Sequence, residues 1–560
     1  MIADTPKEHI EKAALAVLGS VPEFTLEHPG DLVHGDYSTN VAMVGAKAAG
    51  KNPRALAEEI VAALGEIEAV EKIEIAGPGF INFHLKRDFF VKATQEILDT
   101  GESWGKNNTQ AGQKVMCEYT DPNPFKAFHI GHLMSNAIGE SISRLQEFTS
   151  AEVKRANYQG DVGRHVACAI WGLRQMGEEP EDSEQMGRAY TMGAQAYKEG
   201  GEAKDEIVAI NKALYARSDE KLNHIYDTGR EKSLASFEKL YELLGTKFDY
   251  YFFESKTGPF GKALVEGNIE KGVFEESEGA IVYKGEKDGL HTRVFINSEG
   301  LPTYEAKELG LAKLKCDQYP YDRSIVITAS EINEYFKVLL SVMRHIWPEL
   351  AEKTTHIGHG MMQLATGKMS SSKGNIITGE SLLHEMQANA LEKVAERDLD
   401  DEEKRAVADA AAVGAIKYSV LRQSTGKNIV FDPEASLSFE GDSGPYLQYS
   451  HTRACSIMRK AKSEGLVADT HISTSDVQTV ERLLYRFSEV VERSQAEYEP
   501  HYVATYLTEL AGEFNAWYAK EQIVKSDDET SPYKVALTQA FRITMKNGLW
   551  LLGIKAPERM

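Results

Sequence analysis

Two short segments carry the residue types that could grip a polyphosphate. The first is His129-Ile130-Gly131-His132, set between the strand-like KVMCEYT and the helix-like LMSNAIGESISRLQEF. Residues three apart share a helix face, so both imidazoles meet at a helix start. Unpaired N–H groups and a partial positive charge favour anions there. Gly131, having no Cβ, lets a flat base approach the backbone. The second segment is Lys368-Met369-Ser370-Ser371-Ser372-Lys373, followed by Gly374-Asn375. Two ammonium groups and three hydroxyls suit a triphosphate whose charge grows during attack on phosphorus. Either segment alone also has a bland reading, a solvated Lys/Ser turn in the second case. The HIGH tetrapeptide recurs at His356-Ile357-Gly358-His359, within a strand-like stretch. That copy opens no helix and so lacks an anion-binding N-terminus, and the first copy is taken as the nucleotide site.

The elements that must position these groups follow from periodicity. KVMCEYT, the loop DPNPFKAF, the helix from His129 and the strand-like VKRANYQG form a βαβ unit, which predicts a parallel, doubly wound sheet. RSIVITAS and the stretch around HIGHGMMQL could complete it near residue 365. Residues 181–245 are helical and highly charged, as in an insertion. Before this unit lies a small α+β pattern, with Asn52 as N-cap, Pro53 at the first helical position and the broken strand KIEIAGPGFINFHL. After residue 380 every segment reads as helix, which predicts a bundle. The expected parts are 1–110, an α+β domain; 111–380, a Rossmann-like parallel-sheet domain with the insertion; and 381–560, an all-α domain.

Composition narrows the partners. A chain of 560 residues with 42% apolar and 26% charged side chains is ordinary globular material, long enough to bury its own core. Its 4 cysteines are scattered without metal-type spacing, which suits a reducing compartment, and no tightly bound metal is expected. The N-terminal stretch lacks the features of a targeting signal, and no apolar run is long enough for a membrane span, so a cytoplasmic protein is expected. The 85 acids outweigh 63 bases for a net charge of −22, so any nucleic-acid site must be a local patch.

Together these segments resemble class I aminoacyl-tRNA synthetases, and more specifically the arginyl-tRNA synthetase family, nearly end to end. HGDYSTNVAM and IAGPGFINFHL are similar to that family's additional N-terminal domain. EYTDPNPFKAFHIGHLMSN and NYQGDVGRHVA are similar to its catalytic core, and GDSGPYLQYSHTRACSIMRKA with LLGIKAPERM to its anticodon-binding bundle. The resemblance implies attack of the arginine carboxylate on the α-phosphorus of ATP, supplied with Mg2+, followed by transfer to the terminal ribose of tRNA(Arg). It implies a monomer. His129 and His132 would hold phosphates and adenosine, with Gly131, Asn136, Met369, Ser370, Ser371 and Ser372 around ATP. Lys368 and Lys373 would stabilise the pentacovalent oxygens. Glu118, Asn123, Tyr304 and Glu308 would line the arginine pocket, where a planar guanidinium seeks paired carboxylate oxygens. Tyr446, Gln448, Tyr449 and Arg453, with His451, would face tRNA, since RNA readers stack bases on aromatic planes.

Three departures bear on these roles. Ser371 stands where the family's loop has lysine, Ile332 stands where many relatives have a polar residue, and KMSSSKGN is also similar to the loop of class I lysyl-tRNA synthetases. A lysine ligase, a nucleotidyltransferase and a non-catalytic tRNA-binding paralogue are therefore the alternative readings. Trp517 and Tyr518 are assigned to the bundle core.

Overall fold

The computed structural model describes residues 6–365 and 378–560. Lys368, Met369, Ser370, Ser371, Ser372 and Lys373 lie outside the described residues.

The central sheet has five strands in the spatial order Thr354–His359, Arg323–Ala329, Lys114–Glu118, Glu152–Gln159 and Tyr250–Phe253. Every neighbouring pair is parallel. Numbered along the chain this is order 3-2-1-4-5 read from one edge, the doubly wound arrangement. The direction of winding reverses between Lys114–Glu118 and Arg323–Ala329, and the crevice beyond their carboxyl ends is where such folds take ligands. Alternate side chains enter opposite layers: Val115 and Cys117 join one core, Met116 and Val326 the other.

The charged insertion consists of helices Ser183–Glu199, Gly201–Ala216 and Glu220–Leu244. A three-stranded antiparallel sheet, Glu275–Ser277, Ala280–Tyr283 and Arg293–Ile296, precedes helix Tyr304–Gln318. The N-terminal unit is a four-stranded antiparallel sheet with helices. Asn52 caps helix Pro53–Leu64 as its sequence predicts, accepting from the Arg54 N–H at 2.9 Å.

One expectation beyond residue 380 needs correction. Ile429–Phe431 is a strand, paired in parallel with Met362–Leu364. Its β-branched and aromatic residues signal this; reading the whole region as helix missed the break at Ser424–Asn428. The remaining helices form the expected bundle, and its core is continuous with one face of the central sheet. A polar seam joins the bundle to the N-terminal unit. Arg482 pairs with Asp36, Arg87 with Glu481 at 2.7 Å, and Glu489 accepts from the Tyr37 hydroxyl at 2.6 Å.

Candidate active site

The loop leaving strand Lys114–Glu118 holds non-glycine residues in the left-handed region: Thr120 (φ 78°), Asp121 (φ 45°) and Phe125 (φ 64°). Such backbone costs of order 1 kcal/mol per residue and persists only where its surroundings enforce it. Here the partners are explicit. Thr120 N–H donates to Ser135 Oγ at 2.9 Å, Asn136 Nδ2 donates to Thr120 Oγ1 at 3.1 Å, and Phe125 N–H donates to Ser233 Oγ at 3.0 Å. Asp121 Oδ1 accepts the Tyr158 N–H at 2.7 Å. Asn136 therefore differs from its expected place against the nucleotide. It is fully buried behind the loop and positions Thr120 instead.

That loop delivers His129 as N-cap of helix Ile130–Phe148. The two imidazoles stack with centroids 3.5 Å apart, and the His129 N–H donates to His132 Nδ1 at 3.2 Å. The proton of His132 consequently sits on Nε2, which is left as a donor. Burial lowers the pKa of both rings, with mutual repulsion adding to it at His132, so both are neutral at pH 7.

A cavity of about 710 Å³ opens over the winding reversal. It is lined by Thr120, Asp121 and Ser135 on the polar side, by Gly131 and the histidines, and by Ile327, Met362 and Leu364 on the apolar side. The second HIGH copy occupies the edge strand as its alternation predicts, yet it is not remote from this cavity. His356 stacks on Phe336 and faces Thr328 Oγ1 at 2.7 Å, while His359 is part of the cavity wall.

Beside the cavity lies an acidic nest. Glu118, at the end of the central strand, is ion-paired with Lys315 in the interior. Asp121 and Glu308 stand close enough that burial and the Glu118 charge push both carboxyl groups well above the usual range. Next to them Glu254 accepts from Lys307 Nζ at 2.6 Å. Asn123 Oδ1 accepts the Gly160 N–H at 3.0 Å, and a Cβ on Gly160 would lie 2.4 Å from that oxygen, which explains the glycine. Tyr304 is 66% exposed at the start of its helix, its ring 5.2 Å from Lys307 Nζ. Sequence reasoning missed Asp121 and Lys315. Lys315 was legible as the residue seven beyond Glu308, on the same helix face.

The surface expected to meet RNA is split. On helix Gly444–Ser463, Arg453 packs over the rings of Tyr449 (4.9 Å) and Tyr518 (5.4 Å). Tyr446 is half-buried and its hydroxyl accepts from Asn515. Gln448 corrects the expectation: it is 0% exposed, and its amide donates to the Ala410 and Lys555 carbonyls at 3.0 and 2.9 Å. His451 is likewise enclosed against Pro557 O. Trp517 is core as expected, whereas Tyr518 is 43% exposed.

Comparison with known proteins agrees along the whole length. Residues 93–433 match the family model described as the catalytic domain of class I (R) tRNA synthetases, residues 447–560 the DALR anticodon binding domain, and residues 4–85 the arginyl tRNA synthetase N-terminal domain. The arginine–tRNA ligase of Porphyromonas gingivalis is 30% identical, with 91% of each chain covered. That of Clostridium beijerinckii is 29% identical over 100% of this chain and 99% of its own. The solved arginyl-tRNA synthetase of Thermus thermophilus superposes with a TM-score of 0.81 at 27% identity, covering 99% of both chains.

Proposed function

The chain belongs to the arginyl-tRNA synthetase family, ATP-dependent arginine–tRNA ligases of class I, and from that premise we propose how its residues divide the work. The reading rests most heavily on one observation, the juxtaposition of the imidazole-lined cavity with an acidic nest that has more carboxylates than lysines.

In this reading ATP lies in the cavity with its phosphates toward the helix start. The Nε2 hydrogen of His132 donates to a phosphate or ribose oxygen, and His129 covers it from the mouth. Magnesium enters with ATP as part of the substrate. Lys368 and Lys373 neutralise oxygens on the phosphorus under attack. This is supported by the residues on either side of 366–377, since Leu364 lines the cavity and Thr378 bridges to His129. Because ATP carries its own leaving group, the protein contributes positioning and electrostatics.

Arginine presents its guanidinium to Glu118 and Glu308. Lys315 balances only one of the three neighbouring carboxylates, so a cationic side chain completes the charge balance while a neutral one leaves buried acids unsatisfied. Asn123 and Tyr304 stand along the rim. The arginine carboxylate attacks the α-phosphorus, pyrophosphate leaves, and the ribose hydroxyl of tRNA then takes the arginyl group. Tyr449 and Arg453 offer the bundle's stacking surface, with Tyr446 beside them. The working parts are taken as 1–110, 111–380 and 381–560, in a cytoplasmic monomer. Among the described residues no helix is long and apolar enough to cross a membrane.

Pyrophosphate exchange with arginine, lysine or no amino acid, each with and without tRNA, tests this. Exchange specific to arginine supports it; equal exchange with lysine overturns the assignment of the acidic nest.

A further inference from the structure

His359 belongs to the second HIGH copy, which the ligase reaction as assigned above does not use. The residue is 3% exposed and lines the cavity. Nδ1 lies 2.7 Å from the carbonyl oxygen of Gly360. A carbonyl only accepts, so Nδ1 carries the ring proton, and Nε2 of the neutral ring is left with a lone pair. Burial lowers the ring's pKa, consistent with the neutral form.

This arrangement is built into the fold. Gly360 N–H donates to Thr425 O at 3.1 Å, and a Cβ at Gly360 would fall 2.1 Å from the Lys427 carbonyl. Met361 N–H donates to Asn428 Oδ1 at 2.7 Å, and Met361 O accepts from Ile429 at 2.9 Å. The turn Ser424–Asn428 thus clamps the backbone that fixes the tautomer of His359. Around it the wall is mainly apolar, with Ile327, Ala329, Met361, Met362 and Leu364 beside the polar Thr328, Glu331 and Gln363, whereas Thr120, Ser135 and the paired imidazoles lie toward the helix start. A nucleotide with its phosphates at the polar end places its base against the apolar wall.

We propose that His359 reads the purine at that wall: Nε2 accepts a hydrogen from the 6-amino group of adenine and repels the oxygen that a 6-oxo purine carries at the same position. The proposal rests on the reading that ATP occupies this cavity. A site built to bond a substrate N–H rejects the analogue lacking it more strongly than an apolar pocket does, because a buried acceptor then faces no donor.

The test is arginine- and tRNA-dependent pyrophosphate release with ATP, inosine triphosphate and purine riboside triphosphate. The wild type is compared with His359→Phe, and folding is checked by thermal melting. The expected result is a fall in the ATP-over-inosine preference of about tenfold or more in His359→Phe. ATP and the riboside, which lacks the 6-amino group, should become nearly equivalent substrates for that variant. A second variant, His359→Asn, keeps a polar group at the wall if the phenylalanine disturbs packing, and should also lose preference. An unchanged preference in both variants, including a loss shared equally by all three nucleotides, overturns the proposal. His132→Ala separates the two readings: a raised ATP KM there with unchanged base preference at His359 leaves the cavity assignment standing and removes only His359.

Discussion

Lys315 and Glu118 form an ion pair closed off from solvent at the carboxyl end of the central strand. The acid assigned to the substrate's guanidinium is therefore already partnered by the protein, and Asp121 and Glu308 beside it are carboxyl groups whose ionisation is disfavoured by burial and the Glu118 charge until a cation arrives. Replacing Lys315 with Met leaves Glu118 without its counter-charge. Breaking a buried pair in this way costs about 3–5 kcal/mol. Thermal melting of Lys315→Met should fall accordingly, and saturating arginine should restore more of the loss than it adds to the wild type. Equal arginine shifts in both proteins would detach the nest from substrate binding.

The stacked imidazoles give a prediction about pH. Both rings have pKa values lowered from 6.5 by burial, so both stay predominantly neutral between pH 7.5 and 8.5. The KM for ATP should be flat across that window. His132→Ala should lower kcat/KM for ATP by about 10²-fold, the scale of one preorganised donor, and His132→Gln, which keeps a neutral donor, should recover part of it. Steady-state kinetics across the window measure both.

Helix Gly444–Ser463 separates a structural role from an RNA-facing one. Gln448→Ala removes two hydrogen bonds from a buried amide to backbone carbonyls and should lower stability by about 1–3 kcal/mol, read by denaturant melts. Arg453→Ala gives up contacts with Asn515, Tyr449 and Tyr518, so it should lower stability by about 1 kcal/mol, raise the KM for tRNA and reduce the salt slope of tRNA binding by about one.

Lys417 supplies a pH dependence of stability. It is enclosed between bundle, insertion and C-terminus, donating to the Leu244 carbonyl at 2.6 Å and the Gly553 carbonyl at 2.9 Å. Burial, with Arg144 nearby, lowers its pKa from 10.5 to about 7. A neutral amine has two hydrogens for those two acceptors. Below about pH 7 both folded and unfolded states hold the proton, and the burial penalty is constant. Between about 7 and 10.5 only the unfolded state holds it, so unfolding takes up a proton and stability rises with pH. The slope should reach at most about 1.4 kcal/mol per pH unit from this group, and Lys417→Met should abolish that component.

Much of the fold was readable from residue type and segment length, because RSIVITAS is a short β-branched run buried on both faces, as a central parallel strand should be, and the segment from His129 is too long for a strand. The break at Ser424–Asn428 was not, because a three-residue strand following the long helix Asp401–Leu421 carries too little pattern to stand out. At the site, the helix-start histidines were legible through type and spacing, and Glu118 only through the family resemblance of the segment that carries it. Lys315, Asp121 and His359 acquire their surroundings only from tertiary contacts across the sheet. Gln448 and Asn136 misled for the opposite reason: a polar side chain beside a motif reads as a ligand group, and only the fold reveals that its hydrogen bonds go to the protein itself.

The most direct measurement is a crystal structure with arginine and a nonhydrolysable ATP analogue bound together. The phosphates are expected at the start of helix Ile130–Phe148, the base against Met361 and Leu364, and the guanidinium between Glu118 and Glu308. A nucleotide bound away from His129 and His132, or a guanidinium that touches neither acid, would contradict that arrangement.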